Sequence, residues 1–231
     1  EATWLYVSAL PNSAWDVFHA ALVSTLGLSG SPATPEVLAA GRHRVSLRDL
    51  PNYSFSPEME GEVSEPAPGQ EFLTWLWFKA ETQLGQIALS DGRVVSVLVE
   101  GPLVFRREGQ GAHAVVLKKG APESSAEAKT CLMGGKKLKE ARLTLALDGE
   151  RVWSFGFEAD EFLVRGLKLP QSAGALDGLS RFQERMVFLE EWREMFLDLF
   201  GAFVGVRGDG KKWRGVLGEI REWVAGRPGR R

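Results

Sequence analysis

The segment EFLTWLWFKAE, residues 71–81, constrains the fold of this chain more than any other stretch. Phe72, Trp75, Trp77 and Phe78 fall within seven consecutive positions of it. On a helical wheel the apolar side chains cover both sides, and in a strand both faces would be equally apolar. An element that is apolar all round is normally buried. The segment therefore predicts a core element, with a membrane contact and a platform for stacked bases as the alternatives.

The rest of the sequence argues against both alternatives. A transmembrane helix needs about 20 predominantly apolar residues, and no apolar run in this chain approaches that length. Base-stacking platforms usually interleave single aromatics with Arg or Lys, whereas these aromatics are contiguous and only Lys79 is close to them. The single cysteine, Cys131, cannot form an internal disulfide, which suits a reducing cytosol. We therefore expect a globular, cytoplasmic protein without a membrane span.

Hydrophobic periodicity predicts an α+β fold, with antiparallel sheets and flanking helices. We expect a strand at 4–10, a helix at 11–28, and an irregular stretch at 29–70 that holds six of the eleven prolines. Short β segments at 86–117 predict an antiparallel meander, and two amphipathic helices follow near the C-terminus. Three regions result: an N-terminal strand–helix segment with an acidic connector (1–70), a central α+β region (71–170) and a C-terminal helical region (171–231).

The segment RLTLALDGERVWSFGF, residues 142–157, predicts a β-hairpin whose register follows from its apolar side chains. A three-residue loop sets Leu145 opposite Trp153 and keeps the apolar side chains on one face. A two-residue loop would instead set Thr144 opposite Trp153 and mix the two faces. We therefore expect the three-residue loop, with Gly149 in the left-handed backbone region.

Basic side chains concentrate in two separated segments, although the formal net charge of the chain is only -2. Residues 106–142 carry nine Lys or Arg against four Glu, and residues 207–231 carry eight basic side chains against three acidic ones. Two such segments are consistent with binding to a polyanion. Solvated surface charge that binds nothing is the alternative for each segment.

The sequence predicts no catalytic residue, metal or cofactor. It contains neither a Gly-x-Ser-x-Gly elbow nor a glycine-rich phosphate loop. Cys131 has no identifiable histidine partner, and we interpret it as a small buried thiol. Glu123, Glu127 and Lys129 superficially match the carboxylate–lysine pattern of metal-dependent nucleases. Their spacing is too short, however, and they lie on a predicted short helix that ends at Gly134–Gly135.

Three blocks of the sequence together resemble one family, the recombination-associated protein RdgC of proteobacteria. The blocks are PGQEFLTWLWFKAE, then VVLKKGAPESSAEAK…GGKKLKEARLTLALDGERVWSFGF, and then LKLP…SRFQERMVFLEEW…LFGAF. The resemblance covers nearly the whole chain, although none of the blocks is a catalytic signature. Members of the family have a further N-terminal segment before the position that matches Glu1, and that segment includes part of the dimer contact.

The resemblance implies an RdgC-like fold and a cytoplasmic, nucleoid-associated protein that binds double-stranded DNA with little sequence preference. Members of the family form a dimeric ring around the duplex and restrain loading of the recombinase RecA. The resemblance therefore implies a homodimer that antagonises RecA. The family is often labelled an exonuclease, but no residues in this sequence support that activity.

The resemblance also identifies candidate DNA contacts. The residues LKKG match the family's finger-like loop, whose basic side chains face the DNA, and this match implicates Lys118 and Lys119. Lys136 matches another basic position that faces the DNA. Further cations of the two basic segments are predicted as auxiliary contacts: Lys137, Lys139, Arg106, Arg107, Lys211 and Lys212. Two alternatives stay open, a metal-dependent exonuclease with unassigned carboxylates and a protein-interaction scaffold that does not bind DNA.

Overall fold

The computed structural model describes residues 4–7, 12–59, 66–107, 113–118, 120–171, 174 and 177–226. Six α-helices occur in these ranges: α1 (Asn12–Leu26), α2 (Pro35–Leu38), α3 (Pro68–Thr82), α4 (Ala126–Met133), α5 (Gly178–Arg207) and α6 (Gly210–Val224). Six strands form one antiparallel sheet: β1 (Gln86–Ala88), β2 (Val94–Arg107), β3 (His113–Leu117), β4 (Lys137–Leu147), β5 (Arg151–Glu158) and β6 (Leu163–Lys168). The predicted α+β class is confirmed.

Helix α3 contains the aromatic segment and lies at the centre of the molecule. It contacts β2 and β4 of the sheet, and it also contacts α5 and α6. The ring of Phe72 meets those of Phe157, Phe196 and Phe200, with centroids 5.3 to 6.4 Å apart. A helix enclosed by a sheet and by other helices has no polar face, which explains its all-round apolar sequence. The prediction of a core element is confirmed, and its aromatic rings are buried away from any nucleic acid.

The strands follow the order β1–β2–β4–β5–β6, and β3 pairs with β2 along the same edge as β1. The predicted hairpin is the β4–β5 pair. Leu145 lies opposite Trp153, as the three-residue loop requires. Gly149 has a φ of 74°, in the left-handed region that the loop requires. The register prediction is confirmed.

The N-terminal region matches the prediction only in its helix. Helix α1 ends before Gly27, which has a φ of 64° and donates its N–H to the carbonyl of Val23 at 3.0 Å. The strand predicted at 4–10 is wrong for residues 4–7, which have no regular structure, while 8–10 lie outside the described ranges. These first residues are held by side chains instead, because Arg193 of α5 stacks on Trp4.

In the rest of the chain, the structure differs from the prediction in two strands and agrees with it in the helices. The β segments predicted on both sides of Pro102 are one long strand, β2, with a register shift against β4 between Glu100 and Val104. Strand β6 was not anticipated from the sequence. The short helix α4 and the two C-terminal helices occur where they were expected. One hydrophobic core draws residues from all three predicted regions, since it includes Leu38, Leu145 and Ile220.

Candidate nucleic-acid interface

One face of the sheet is open to solvent, and we call it the outer face. Alternate residues of β2, such as Val97, are buried on the helical side, while the residues between them point the other way. On the outer face Leu98 is 50% exposed, Val116 is 46% exposed and Val152 is 41% exposed. Antiparallel sheets commonly have one such solvated face. The outer face is therefore a broad, accessible surface that extends from β3 to β6.

Five basic residues from four strands belong to the outer face. Each lies on or directly after a strand and alternates with inward-facing neighbours: Lys118, Arg106, Arg142, Arg165 and Lys168. Four strand spacings separate β3 from β6, a width of roughly 19 Å, compared with about 12 Å for the major groove of B-DNA. Such spacing allows cations to contact several phosphates at once, and phosphate contacts carry no sequence information.

Two half-buried carboxylates also lie on the outer face, and each has a local partner. Glu140 accepts a hydrogen bond from Arg165 at 3.3 Å, and Glu100 accepts one from the hydroxyl of Thr144 at 3.0 Å. The register places Glu158 on the same face, where it is buried and contacts Lys139. The five cations still outnumber the three carboxylates of the described outer face. The surface between the charges is formed by small and aliphatic side chains, such as Leu98, Val116 and Val152.

The structure brings only part of the predicted DNA contacts to this surface. Lys118 is exposed at the end of β3, and Arg106 lies on β2 across from Ala114 of β3. Arg107 is exposed at the end of β2, and Lys119 lies outside the described residues.

Three further predicted contacts lie elsewhere. Lys136 is half-buried, and its ammonium lies beside Gly134 at the C-terminal end of α4, where a cation is favoured by the helix dipole. Lys211 and Lys212 are exposed in the first turn of α6, which packs in the helical layer. Because α6 packs against α3, α4 and α5, its first turn does not belong to the outer face.

Lys137 is not available for the predicted contact, and this prediction is corrected. Its side chain is buried among α3 and the segment around Asn52, whose side-chain amide oxygen Oδ1 accepts a hydrogen bond from the ammonium. The ammonium also lies 3.1 Å from Glu71, which Arg207 contacts from the other side at 2.7 Å. Burial lowers the pKa of Lys137, although the nearby Glu71 carboxylate opposes that shift.

Lys139 requires a similar correction, because two carboxylates already bind its ammonium. It lies 3.1 Å from Glu158 and also contacts Asp160. Burial acts to lower the pKa of Lys139, but its hydrogen bonds and charge attraction to these two carboxylates outweigh burial, and the pKa is raised. A cation held by two carboxylates gains little from a phosphate.

Sequence reasoning missed Arg165 and Lys168 as interface residues, and it counted Arg142 only as part of a basic segment. The first two lie on β6, which the sequence pattern did not reveal. Val164 and Leu167 both pack on the core but lie three positions apart, because β6 has one extra residue opposite β5. The strict alternation that predicts a strand is therefore absent.

Two observations on the described residues concern catalysis. Within them no group of three or more His, Cys, Asp or Glu side chains could hold a metal ion. Cys131 is buried, as predicted, and burial raises the pKa of its thiol even though Lys136 opposes the shift. Across the described ranges, no helix is both long and apolar enough to span a membrane.

Comparison with known proteins adds no identification. No protein-family model matches the chain, and no curated protein matches it either.

Proposed function

We propose that this chain binds double-stranded DNA without sequence preference through the outer face of its sheet. The observation that carries the proposal is the set of five basic residues on one open surface, contributed by four different strands. Cations that neutralise phosphates release condensed counterions, and this release supplies sequence-independent affinity. The RdgC-like pattern of the sequence supports the same function.

The proposal includes the finer properties that the resemblance implies. Two chains form a ring-like dimer with their outer faces towards one duplex, in the cytoplasm and on the nucleoid. Occupation of the phosphate backbone then restrains loading of RecA, because the recombinase and this protein compete for the same DNA. Neither a metal nor a cofactor takes part.

Competition between duplexes tests the absence of sequence preference. A labelled duplex of about 30 base pairs, long enough for several phosphate contacts, is titrated with the protein in fluorescence anisotropy. Unlabelled duplexes of unrelated sequence should compete equally well. A strong preference for one sequence would contradict the proposal. The absence of binding at low salt would favour the protein-interaction scaffold, and Mg²⁺-dependent loss of the duplex, prevented by a chelator, would favour the exonuclease.

A matched pair of lysine variants tests the outer face itself. We expect Lys118→Ala to weaken binding to all sequences alike, by roughly 0.5–1.5 kcal/mol, and to reduce the salt slope by about one. Lys212→Ala removes the same charge from the helical layer, where that side chain is 66% exposed, and should leave the affinity nearly unchanged. Equal losses in the two variants would mean that affinity follows net charge and not the outer face.

A further inference from the structure

A row of outer-face residues crosses the sheet from β4 to β6 and has a glycine at its centre. Arg142 of β4 lies opposite Gly156 of β5, and Gly156 lies opposite Arg165 of β6. The two arginine Cα atoms are therefore separated by two strand spacings, roughly 10 Å. Because Gly156 has no side chain, the space above the strand between the two arginines is open.

The glycine is not required by the backbone or by packing. Gly156 is not among the residues with positive φ. A Cβ atom built on it would lie 3.6 Å from the carbonyl oxygen of Arg165 and 3.7 Å from that residue's Cβ, which are ordinary contacts. Glycine weakens a strand interior and often marks a bulge or a place where a ligand approaches the backbone closely. The β5–β6 register shifts between Ser154 and Gly156, but the extra residue lies on β6, where Gly166 has a φ of 61°. The fold could accept a larger residue here, so the open space calls for another explanation.

The groups around the open space are hydrogen-bond donors with spare capacity. Arg142 reaches the hydroxyl of Ser154 at 3.5 Å, and Arg165 reaches Glu140 at 3.3 Å. Each guanidinium has five N–H donors, and these two contacts use one donor of each. Lys168 lies opposite Ser154 in the next row and adds a third cation. The carboxylates beside these cations are Glu140 and, across from Arg142, Glu100.

We propose that Arg142 and Arg165 bind one backbone phosphate of the duplex above the Cα atom of Gly156, and that Ser154 and Lys168 also contact this phosphate. We call these four side chains and the space above Gly156 the seat. This inference rests on the proposed function. Guanidinium groups bind phosphate oxygens in a bidentate manner and with fixed geometry. The seat adds one well-defined anchor to a surface whose other cations act mainly as point charges.

The test compares Gly156→Glu with Gly156→Gln, which differ in charge but hardly in size. The carboxylate of Gly156→Glu occupies the seat and pairs with both arginines, whereas Gly156→Gln fills the same space without charge. Both variants should fold, because a Cβ fits at this position. With the labelled duplex at about 0.1 M salt, we expect Gly156→Glu to bind at least about fivefold more weakly than Gly156→Gln.

A second matched pair separates the seat from a general effect of added negative charge. Ser96 is exposed on the outer face, two strands and two rows from Gly156, a distance of roughly 16 Å. This exceeds the screening length of about 10 Å at 0.1 M salt. A glutamate at position 96 repels the duplex from the same face but lies outside the seat, so the loss in Ser96→Glu relative to Ser96→Gln should be clearly smaller than the loss at position 156.

The outcomes separate failure of the seat from failure of the proposed function. If the wild-type chain binds the duplex but the Glu and Gln variants at position 156 differ no more than those at position 96, the seat is refuted and duplex binding stands. If the wild-type chain does not bind the duplex even at low salt, both inferences are refuted.

Discussion

At the scale of single residues, Glu71 accepts hydrogen bonds from two buried cations. Its two oxygens lie 3.1 Å from Lys137 and 2.7 Å from Arg207, and all three side chains are almost fully buried. Arg207 also donates to the carbonyl of Pro51 at 2.7 Å. The cluster joins α3, β4, α5 and the segment before α3. Its charges are unequal, because two cations share this one carboxylate.

Variants of this cluster should differ strongly in their effect on stability. Glu71→Gln leaves two buried cations without a counter-charge, and we expect it to lower the free energy of unfolding by about 3–5 kcal/mol. Lys137→Met removes the cation with the lowered pKa and leaves Glu71 paired with Arg207, so we expect a loss within about 1.5 kcal/mol. Urea denaturation followed by tryptophan fluorescence measures both. Similar losses in the two variants would contradict this view of the cluster.

The lowered pKa of Lys137 also predicts how stability depends on pH. Because burial lowers the pKa in the folded state, the folded protein releases this proton at a lower pH than the unfolded chain does. Between the two pKa values the unfolded state binds more protons, so stability rises with pH. The stability of the wild-type chain relative to Lys137→Met should therefore increase towards about pH 10. A relative decrease over that range would show that the pKa is not lowered.

Neighbouring lysines cannot be told apart from the sequence alone. Lys136, Lys137 and Lys139 have the same chemistry and lie in one basic run, yet the structure leaves one half-buried and encloses two in carboxylate contacts. The carboxylate that holds Lys137 is Glu71, which lies 66 positions away in the sequence. Burial of these lysines depends on contacts of that range, which local patterns do not contain.

At the scale of elements, the N-terminal end of α3 packs against the turn between β5 and β6 at van der Waals distance. A Cβ atom on Gly69 would lie 1.7 Å from the carbonyl oxygen of Ala159, far closer than any real contact. The obstacle is backbone and not a movable side chain. Only glycine allows the helix to approach the sheet so closely, and the aromatic core depends on that approach.

A pair of glycine substitutions tests this helix position. Gly69→Ala should lower the free energy of unfolding by about 1–3 kcal/mol or more, since α3 must move away from the sheet. Gly215→Ala lies in α6, where a Cβ atom meets nothing within 4 Å, and should raise stability by up to about 1 kcal/mol. Thermal denaturation compares the two. A stable Gly69→Ala variant would mean that α3 is not packed as described.

Elements with strong local signals were predictable, and those without them were not. The β4–β5 hairpin has an apolar face and a Gly-containing loop, which together define its register at Leu145 and Trp153. Strand β6 has no such loop signal, and its register shift against β5 breaks the alternation of buried and exposed residues. The segment at 4–7 has the apolar residues of a strand, but side-chain contacts of Trp4 and Tyr6 with Arg193 take the place of strand pairing.

At the scale of the whole molecule, the distribution of cations over two sides of the sheet decides what the protein can bind. Sequence reasoning counted charge along the chain, and this count joined outer-face residues such as Arg106 to buried ones such as Lys137. The fold instead groups Arg142, Arg165 and Lys168 with Lys118, although only Lys118 and Arg142 belong to the basic segment 106–142. Charge along the sequence predicts a polyanionic ligand without indicating a surface, and the sheet register identifies which cations share one face.

The salt dependence of duplex binding tests the central claim most directly. Neutralisation of about five phosphates by the outer face predicts that affinity falls roughly 500-fold between about 50 and about 200 mM salt, equally for unrelated sequences. Fluorescence anisotropy of the labelled duplex at the two salt concentrations measures this loss. A steep, sequence-independent loss is the predicted result. A loss below about tenfold, or no binding at the lower salt concentration, would contradict the proposal that the outer face binds DNA through its phosphates.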